Sequence, residues 1–236
     1  FYHPATLVTD AQRHGVEVRP IDVNRSGWEC RWEEGACRLG LRFVKGLRQK
    51  VGERIAAEQA AASFRHAEDL ARRCRLHHDE LTTLAHRGAL GSPGLTRRQA
   101  LWQVALASRP AGEMFAGAEQ AEASPLPEMT RLEETIADFA VTEMTTGTHP
   151  VSYLREYLSR QGVTPAARLP HAPDRGTVRI GGAVIVRQRP GTARGLLFVT
   201  HEDERGTVQA AVMPDMLQRH RQVLVRSPGL VLEGVL

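Results

Sequence analysis

Residues 179–212 read RIGGAVIVRQRPGTARGLLFVTHEDERGTVQAAV, and they decide the fold of the second half of the chain. Two runs rich in Val, Ile, Leu and Phe stand on either side of RQRPGTARG (187–195), which holds three arginines, a proline and two glycines. A second interruption, DERG (203–206), leads into a further apolar run. Apolar runs of strand length bounded by Gly, Pro and Asp read as hairpin-linked strands. Beyond them, PDMLQRHR (214–221) has the form of a short helix and GLVLEGVL (229–236) that of one more strand.

Strand, basic loop, strand, tight turn, strand, helix, strand is the order of a five-stranded OB β-barrel, here without its last strand, which leaves a barrel edge unpaired. In that fold the second and third strands and the first loop grip single strands of nucleic acid. From Arg175 onward, nine arginines face five carboxylates. Arg187, Arg189 and Arg194 flank the first loop, where phosphates would pass. They read either as phosphate contacts or as a solvated turn. Phe198 reads either as a ring on which a base stacks or as a core residue.

Upstream the chain is mostly helical. PATLVTDAQRHG reads as a helix ending at Gly15, and VEVRPIDVN alternates like a strand. CRLGLRFVKGLRQKVGERIAAEQAA passes from strand into helix, with Val51, Ile55 and Ala56 on one face. FRHAEDLARRC and DELTTLAHRGAL give two short helices, the second with an apolar stripe of Leu81, Leu84 and Ala85 and a cap at Gly88. Thr96 with Gln99, and Thr130 with Glu133, stand at capping-box spacing. The second box opens a helix whose inward face is read as Leu132, Ile136, Phe139 and Ala140, closed by Gly147. HPVSYLREYLSRQG adds one more helix, with Leu154, Tyr157 and Leu158 read as inward. Residues 108–129, rich in Ala, Glu, Gly and Pro without periodicity, read as a linker.

A second basic cluster lies at 38–54, where Arg38, Arg42, Lys45, Arg48, Lys50 and Arg54 face only Glu53. VKGLRQKVGERIAA fits a short helix, a turn at Gly46 and a second helix. In such a helix-hairpin-helix, backbone N–H groups of the turn and of the second helix hold a phosphate. An ordinary helix end with a solvated basic face fits the same residues.

The totals fit a globular chain: 236 residues, 42% hydrophobic and 25% charged, enough for one large or two small domains. The net charge of +4 is carried almost entirely by arginine, with Lys45 and Lys50 the only lysines, and the arginines run over the whole length. No apolar run reaches membrane-spanning length. Cys30, Cys37 and Cys74 show no metal-site spacing and are expected to be buried or inert thiols in a reducing cytoplasm. With no initiating Met, no signal peptide and a strand-like end, the chain reads as a segment of a longer protein.

The catalytic inventory is thin. Glu33–Glu34, Glu133–Glu134 and Glu202–Asp203–Glu204 are sequence neighbours, whose side chains are expected to point apart. Asp22 and Asp69 stand alone, and His66, His77 and His78 lie on a polar stretch, expected in solvent rather than on a metal. No nucleophile elbow, P-loop, zinc helix or dinucleotide fingerprint occurs.

Five pieces together carry a resemblance: FYHPATLVTDAQRHGVEVRPIDVNRSGWEC, CRLGLRFVKGL, DLARRCRLHHDELTTLAHRGAL, RRQALWQV and VIVRQRPGTARGLLFVTHEDERG. Over most of its length the chain resembles the C-terminal half of a bacterial C-family DNA polymerase, of the error-prone branch that acts in damage-induced mutagenesis and translesion synthesis. The resemblance implies an α+β multidomain segment: the end of the fingers region (1–35), a tandem helix-hairpin-helix module (36–107), the linker (108–129), a helical connector (130–174) and an OB domain (175–236). It implies DNA as partner, both primer-template and single-stranded template, and accessory mutagenesis proteins that link to the sliding clamp. A cytoplasmic location follows. The DNA-binding residues implied are Lys45, Gly46, Arg48, Lys50, Arg187, Arg189, Arg194 and Phe198. No catalytic residue and no cofactor are expected in the segment, because the palm aspartates that hold Mg2+ lie upstream of Phe1.

The sequence departs from the family pattern in two places. Gly46–Leu47–Arg48 stands where the hairpin carries glycine, apolar residue, glycine, so Arg48 is expected to reach the phosphate by its side chain. GEMFAG (112–117) matches the replicative clamp-binding motif poorly. Two other classes fit the same residues: a stand-alone, non-catalytic adaptor for single-stranded nucleic acid, and a protein-interaction module in which the basic loops are incidental.

Overall fold

The computed structural model describes residues 4–107, 124–142 and 144–236. These fall into two compact units, Phe1–Gly147 and Thr148–Leu236.

The first unit runs α1 (Pro4–Arg13), β1 (Glu17–Arg19), β2 (Arg31–Glu33), β3 (Ala36–Arg38), α2 (Gln49–Ala61), α3 (Ala67–Cys74), α4 (His78–His86), α5 (Arg97–Ala107) and α6 (Arg131–Thr142). The three short strands form a mixed sheet, with β3 between a parallel β1 and an antiparallel β2. β1 ends at Arg19 because Pro20 has no N–H for the ladder. The chain then turns inward, and Ile21, Val23, Leu41, Ile55, Phe64, Leu70, Leu84 and Val104 build one buried core.

Local chemistry fixes the helix ends. Thr96 N–H donates to Gln99 Oε1 at 2.8 Å and Gln99 N–H returns to Thr96 Oγ1 at 3.3 Å. Thr130 and Glu133 reciprocate in the same way. Between α2 and α3, Phe64 is held by the Asn24 amide, which accepts its N–H at 2.6 Å and donates to its carbonyl at 3.0 Å. Arg73 covers the Phe64 ring, 4.4 Å from its centroid, and donates to the carbonyls of Glu58 and Ala62 at the end of α2.

In α6 the expected inward face is turned outward. Leu132, Ile136 and Phe139 are exposed, and Thr135 and Asp138 are buried in their place. A buried cation sets this rotation. Arg87, at the end of α4, is almost wholly buried and lies 3.4 Å from Asp138, which also accepts from Arg97 at 2.8 Å and from Thr145 Oγ1 at 2.6 Å. Asp138 in the inward position gives the buried Arg87 the counter-charge it would otherwise lack.

The second unit runs through a 3-10 turn (Pro150–Leu154), α7 (Arg155–Arg160), a 3-10 turn (Ala166–His171), β4 (Thr177–Gln188), β5 (Leu197–Asp203), β6 (Gly206–Val212), α8 (Pro214–Arg219), α9 (Arg221–Arg226) and β7 (Gly229–Val235). The single helix expected over HPVSYLREYLSRQG therefore begins as a 3-10 turn, in which Pro150 follows a His149 side chain that accepts the Val151 N–H. Of the three residues read as inward there, Leu158 is buried while Leu154 and Tyr157 are exposed. The stretch 130–174 is divided between the units, α6 in the first and the remainder from Thr148 in the second. The linker expected over 108–129 lies outside the described residues up to residue 123.

The sheet is antiparallel in the order β6-β5-β4-β7. β4 changes partner along its length: Thr177–Ala183 pair with β7 and Ala183–Gln188 with β5, with a register shift between Val184 and Val186. Gly182 lies at the changeover, where a Cβ would overlap the Glu202 carbonyl. The bulge and this close approach curl the sheet into a half-barrel. Leu197, Val199 and Leu224 form the core on one face, joined by Val184, Leu217 and Leu232. Val151, Leu158 and Val163 pack on Ala183 on the other. A helical module followed by a barrel-like antiparallel domain is thus the fold class.

Replacing Asp138 by Ala is expected to lower the stability of the first unit by about 3–5 kcal/mol, because Arg87 is left buried without a counter-charge. Chemical denaturation of the two proteins, compared at constant m-value, measures it.

Candidate nucleic-acid interface

The first candidate surface is built at the start of α2. Of the two helices expected around Gly46, the first is one 3-10 turn, Leu41–Phe43, and the second is α2. Gly46 adopts φ +84°, the left-handed conformation that favours glycine, and redirects the chain into α2. Leu47 is buried behind the turn, and Arg48, in extended conformation, is the N-cap. No side chain caps this helix. The first amides of a helix have no intrahelical acceptor, so the positive end of α2 opens beside exposed Lys45 and Lys50.

The six cations of residues 38–54 separate into two groups. Arg38 bonds Glu33 and donates to the Pro20 carbonyl at 2.8 Å, Arg42 pairs with Glu29, and Arg54 donates to the Cys74 carbonyl at 3.2 Å. Arg48 sends Nε and Nη2 to the two oxygens of Glu80 at 2.9 and 3.0 Å. Glu80 also accepts the His77 N–H at 3.0 Å and is held below the usual carboxylate range, chiefly by Arg48. The Arg48 side chain expected at a phosphate therefore ties the start of α2 to the start of α4, with about half of its surface, 55%, open to solvent. Lys45 and Lys50 have no partner among the described residues.

The second surface lies at the β4–β5 loop, and here too the arginines divide. Strand alternation turns Arg187 to the core-side face with its register partner Val199. Its guanidinium donates to the carbonyls of Leu224, at 2.7 Å, and Ser227, closing the C-terminal end of α9. Arg187 thus serves a helix end inside the unit. Arg189 and Arg194 are exposed, with no partner among the described residues, in a loop folded by turns from Ala193 N–H to the Pro190 carbonyl and from Leu196 N–H to the Ala193 carbonyl. Phe198 lies on the sheet face opposite Leu197 and Val199, half-buried, with Gln188 and Ala211 as cross-strand neighbours. Neither core nor fully free, its ring belongs to an open row that includes Gln188, Val186 and Gln209. The period-2 pattern of β4 and β6 carries the signal for that row, which residue type alone did not reveal.

The clustered carboxylates behave differently from the expectation that neighbours diverge. Glu202 faces His149 at 3.7 Å, but Asp203 and Glu204 both reach Arg155, at 3.1 and 2.7 Å. They converge because β5 ends at Asp203 and the turn swings Glu204 to the same side. Among the described residues no group of three or more His, Cys, Asp or Glu is placed to hold a metal ion. No helix there is long and apolar enough to cross a membrane. Of the three thiols expected to be buried or inert, Cys74 is buried, and burial pushes it up to about 11, whereas Cys30 is exposed.

Residues 15–100 match the family model of the helix-hairpin-helix motif, which spans the Gly46 turn and α2 to α4. The chain is 41% identical, over 99% of its length, to the error-prone DNA polymerase of Anaeromyxobacter dehalogenans strain 2CP-C. It is 43% identical, over 95%, to that of Azoarcus sp. strain BH72, and 39% identical, over 100%, to that of Corynebacterium glutamicum. In each case the match covers 22% of the relative, so the chain spans about a fifth of the curated relatives it matches. The chain therefore carries a helix-hairpin-helix module of the DNA-binding kind. Across its length it is similar to one region of the error-prone DNA polymerases.

His201, 1% exposed, has both ring nitrogens without a partner. Burial first, and then the neighbouring Arg187, lower it to about 4. The unfolded chain takes up a proton near pH 6.5 and the folded one only near 4, so the stability held above pH 6.5 is lost as pH falls through that window. The second unit is expected to lose about 3 kcal/mol between pH 7 and pH 4 through this group, and His201→Phe to flatten that loss. Denaturant unfolding followed across pH 4–7 tests it.

Proposed function

We propose that this chain is a DNA-holding region of an error-prone DNA polymerase, acting in damage-induced mutagenesis and translesion synthesis. The observation that carries the reading is the uncapped start of α2. Its amides open between Lys45 and Lys50 at a left-handed glycine, inside the stretch that matches the helix-hairpin-helix motif. A helix N-terminus flanked by cations takes a phosphate without reading a base, which suits an enzyme that must accept any template.

In this reading the second unit is an OB domain whose last strand is not among β4–β7. The strand order β6-β5-β4-β7, with β4 shared between β5 and β7, supports it. Arg189 and Arg194 at the first loop attract the backbone of a single-stranded template, and Phe198 offers its ring on the open face to a base. Gly46, Lys45 and Lys50 hold the phosphates of the primer-template. Arg48 acts through position, by fixing the helix start against Glu80. Mg2+ for nucleotidyl transfer belongs to a palm domain outside these residues, and the chain's own part is to bind and orient DNA. Accessory mutagenesis proteins that join the polymerase to a sliding clamp, and a cytoplasmic setting, complete the proposal. The GEMFAG segment lies outside the described residues.

The test is DNA binding by fluorescence anisotropy at several salt concentrations. K45A/K50A is expected to weaken duplex binding and make the log–log salt slope shallower by about 1.8, two phosphates' worth of released counterions. R189A/R194A is expected to act on single strands, with a change of about 1.4. Phe198→Ala should cost about 1–3 kcal/mol of single-strand affinity with no change in slope. Unaltered affinity in all three variants would leave the basic loops incidental and favour a protein-interaction module.

A further inference from the structure

A half-open groove of about 470 Å3 lies in the second unit, away from the β4–β5 loop. α7 contributes Arg155 and Ser159 to its lining, the following segment contributes Thr164 and Arg168, and the β5–β6 turn contributes Arg205. Asp203 holds the walls together. Its Oδ2 accepts the Ala166 N–H at 2.8 Å and Arg155 Nη2 at 3.1 Å, and its Oδ1 accepts the N–H groups of Arg205 and Gly206 at 2.8 and 2.9 Å. Glu204 receives Nε and Nη2 of Arg155 at 2.7 and 2.8 Å.

This bonding pattern determines what the groove offers a ligand. Both carboxylates at its edge are already held by Arg155, whose Nη1 is buried without a partner. Arg168 is exposed with no partner among the described residues, and Arg205, 67% exposed, makes only a 3.8 Å approach to Glu204. Arg168, which is uncommitted, and Arg205, held only by a long ion pair to Glu204, therefore line one recess, on walls fixed by hydrogen bonds. Planar guanidinium groups match the oxygens of a phosphate in pairs.

We infer that this groove binds a phosphate of a polynucleotide backbone, between Arg168 and Arg205, with the hydroxyls of Ser159 and Thr164 as further donors. The inference rests on the DNA-binding reading above and adds a contact that this reading lacks. Arg205 follows the last residue of β5 while Arg194 precedes the first, so the two phosphate sites stand at opposite ends of a seven-residue strand, about 20 Å apart. A bound single strand is thereby held at two points rather than one.

The 236-residue chain is titrated against a labelled oligothymidylate of about 16 nucleotides, long enough to fill such a domain. R168A/R205A is expected to bind about tenfold more weakly, with a salt slope shallower by about 0.7 for one lost phosphate. R168K/R205K, which keeps the charge, should regain part of the affinity, and thermal midpoints check that all variants are folded. Unchanged binding by folded R168A/R205A, with R189A/R194A weakened, overturns the groove site and leaves the DNA-binding reading standing. No binding by the unmodified chain overturns that reading and the site with it. Saturable binding of inorganic phosphate or a nucleoside triphosphate, lost in R168A/R205A without any change in oligothymidylate affinity, assigns the groove to a free anion and overturns the inference.

Discussion

The second unit depends on one strand having two partners. β4 is bonded to β7 along its first half and to β5 along its second, and the exchange is possible only where a bulge and a residue without a side chain let the backbones approach. From that single departure the sheet acquires its curl. One face closes over Leu197, Val199 and Leu224, and part of the other closes over Val151, Leu158 and Val163. The uncovered remainder holds Phe198. The β4–β5 loop lies at one end of β5 and the arginine groove at the other because β5 has nowhere else to turn. A flat sheet of the same strands would offer neither a concave core nor a bounded open face.

Electrostatics follows a similar division in both units. A net charge of +4 suggests a uniformly basic surface, yet many of the arginines are committed inside the fold. Arg48 joins two helix starts, Arg73 closes the end of α2, Arg87 lies buried against Asp138, Arg155 gathers two carboxylates and Arg187 closes α9. Arginine suits this work, since its fork reaches two carbonyls or both oxygens of one carboxylate and keeps its charge when buried. Other cations stay exposed, among them Lys45 with Lys50, Arg189 with Arg194 and Arg168 near Arg205, while Arg25, Arg65, Arg75 and Arg175 are exposed elsewhere. Distribution rather than total therefore decides which cations are free to meet a ligand.

Much of this was legible in the sequence wherever the cause is local. The two capping boxes, the strands over 177–188, 197–203 and 206–212, the left-handed turn at Gly46 and the buried stripe of Leu81, Leu84 and Ala85 follow from neighbours a few residues apart. Long-range pairing was not legible. The Leu132–Ile136–Phe139 stripe has the spacing of a buried face, but Arg87, distant in sequence, required a carboxylate, and Asp138 took the inside. Arg187 carries the same charge as Arg189, and only the presence of α9 behind the sheet separates their roles. Asp203 and Glu204 read as divergent, and the end of β5 brings them onto one arginine. In each case a buried charge or an orphaned helix end settled the outcome, and neither leaves a periodic mark in the chain.

The uncapped start of α2 has a consequence for mutability. A contact made by backbone amides is written in the conformation of the chain and not in the identity of its side chains. Exchanging Gln49 or Lys50 for another residue preserves the amide, whereas proline removes it. In the DNA-binding reading proposed above, most substitutions would leave such a grip intact, and the residues that guard it are those that set the turn: Gly46 through its φ and Glu80 through Arg48. On that reading the surface around the helix start is thus free to vary in side chain without removing the amides that would hold an anion.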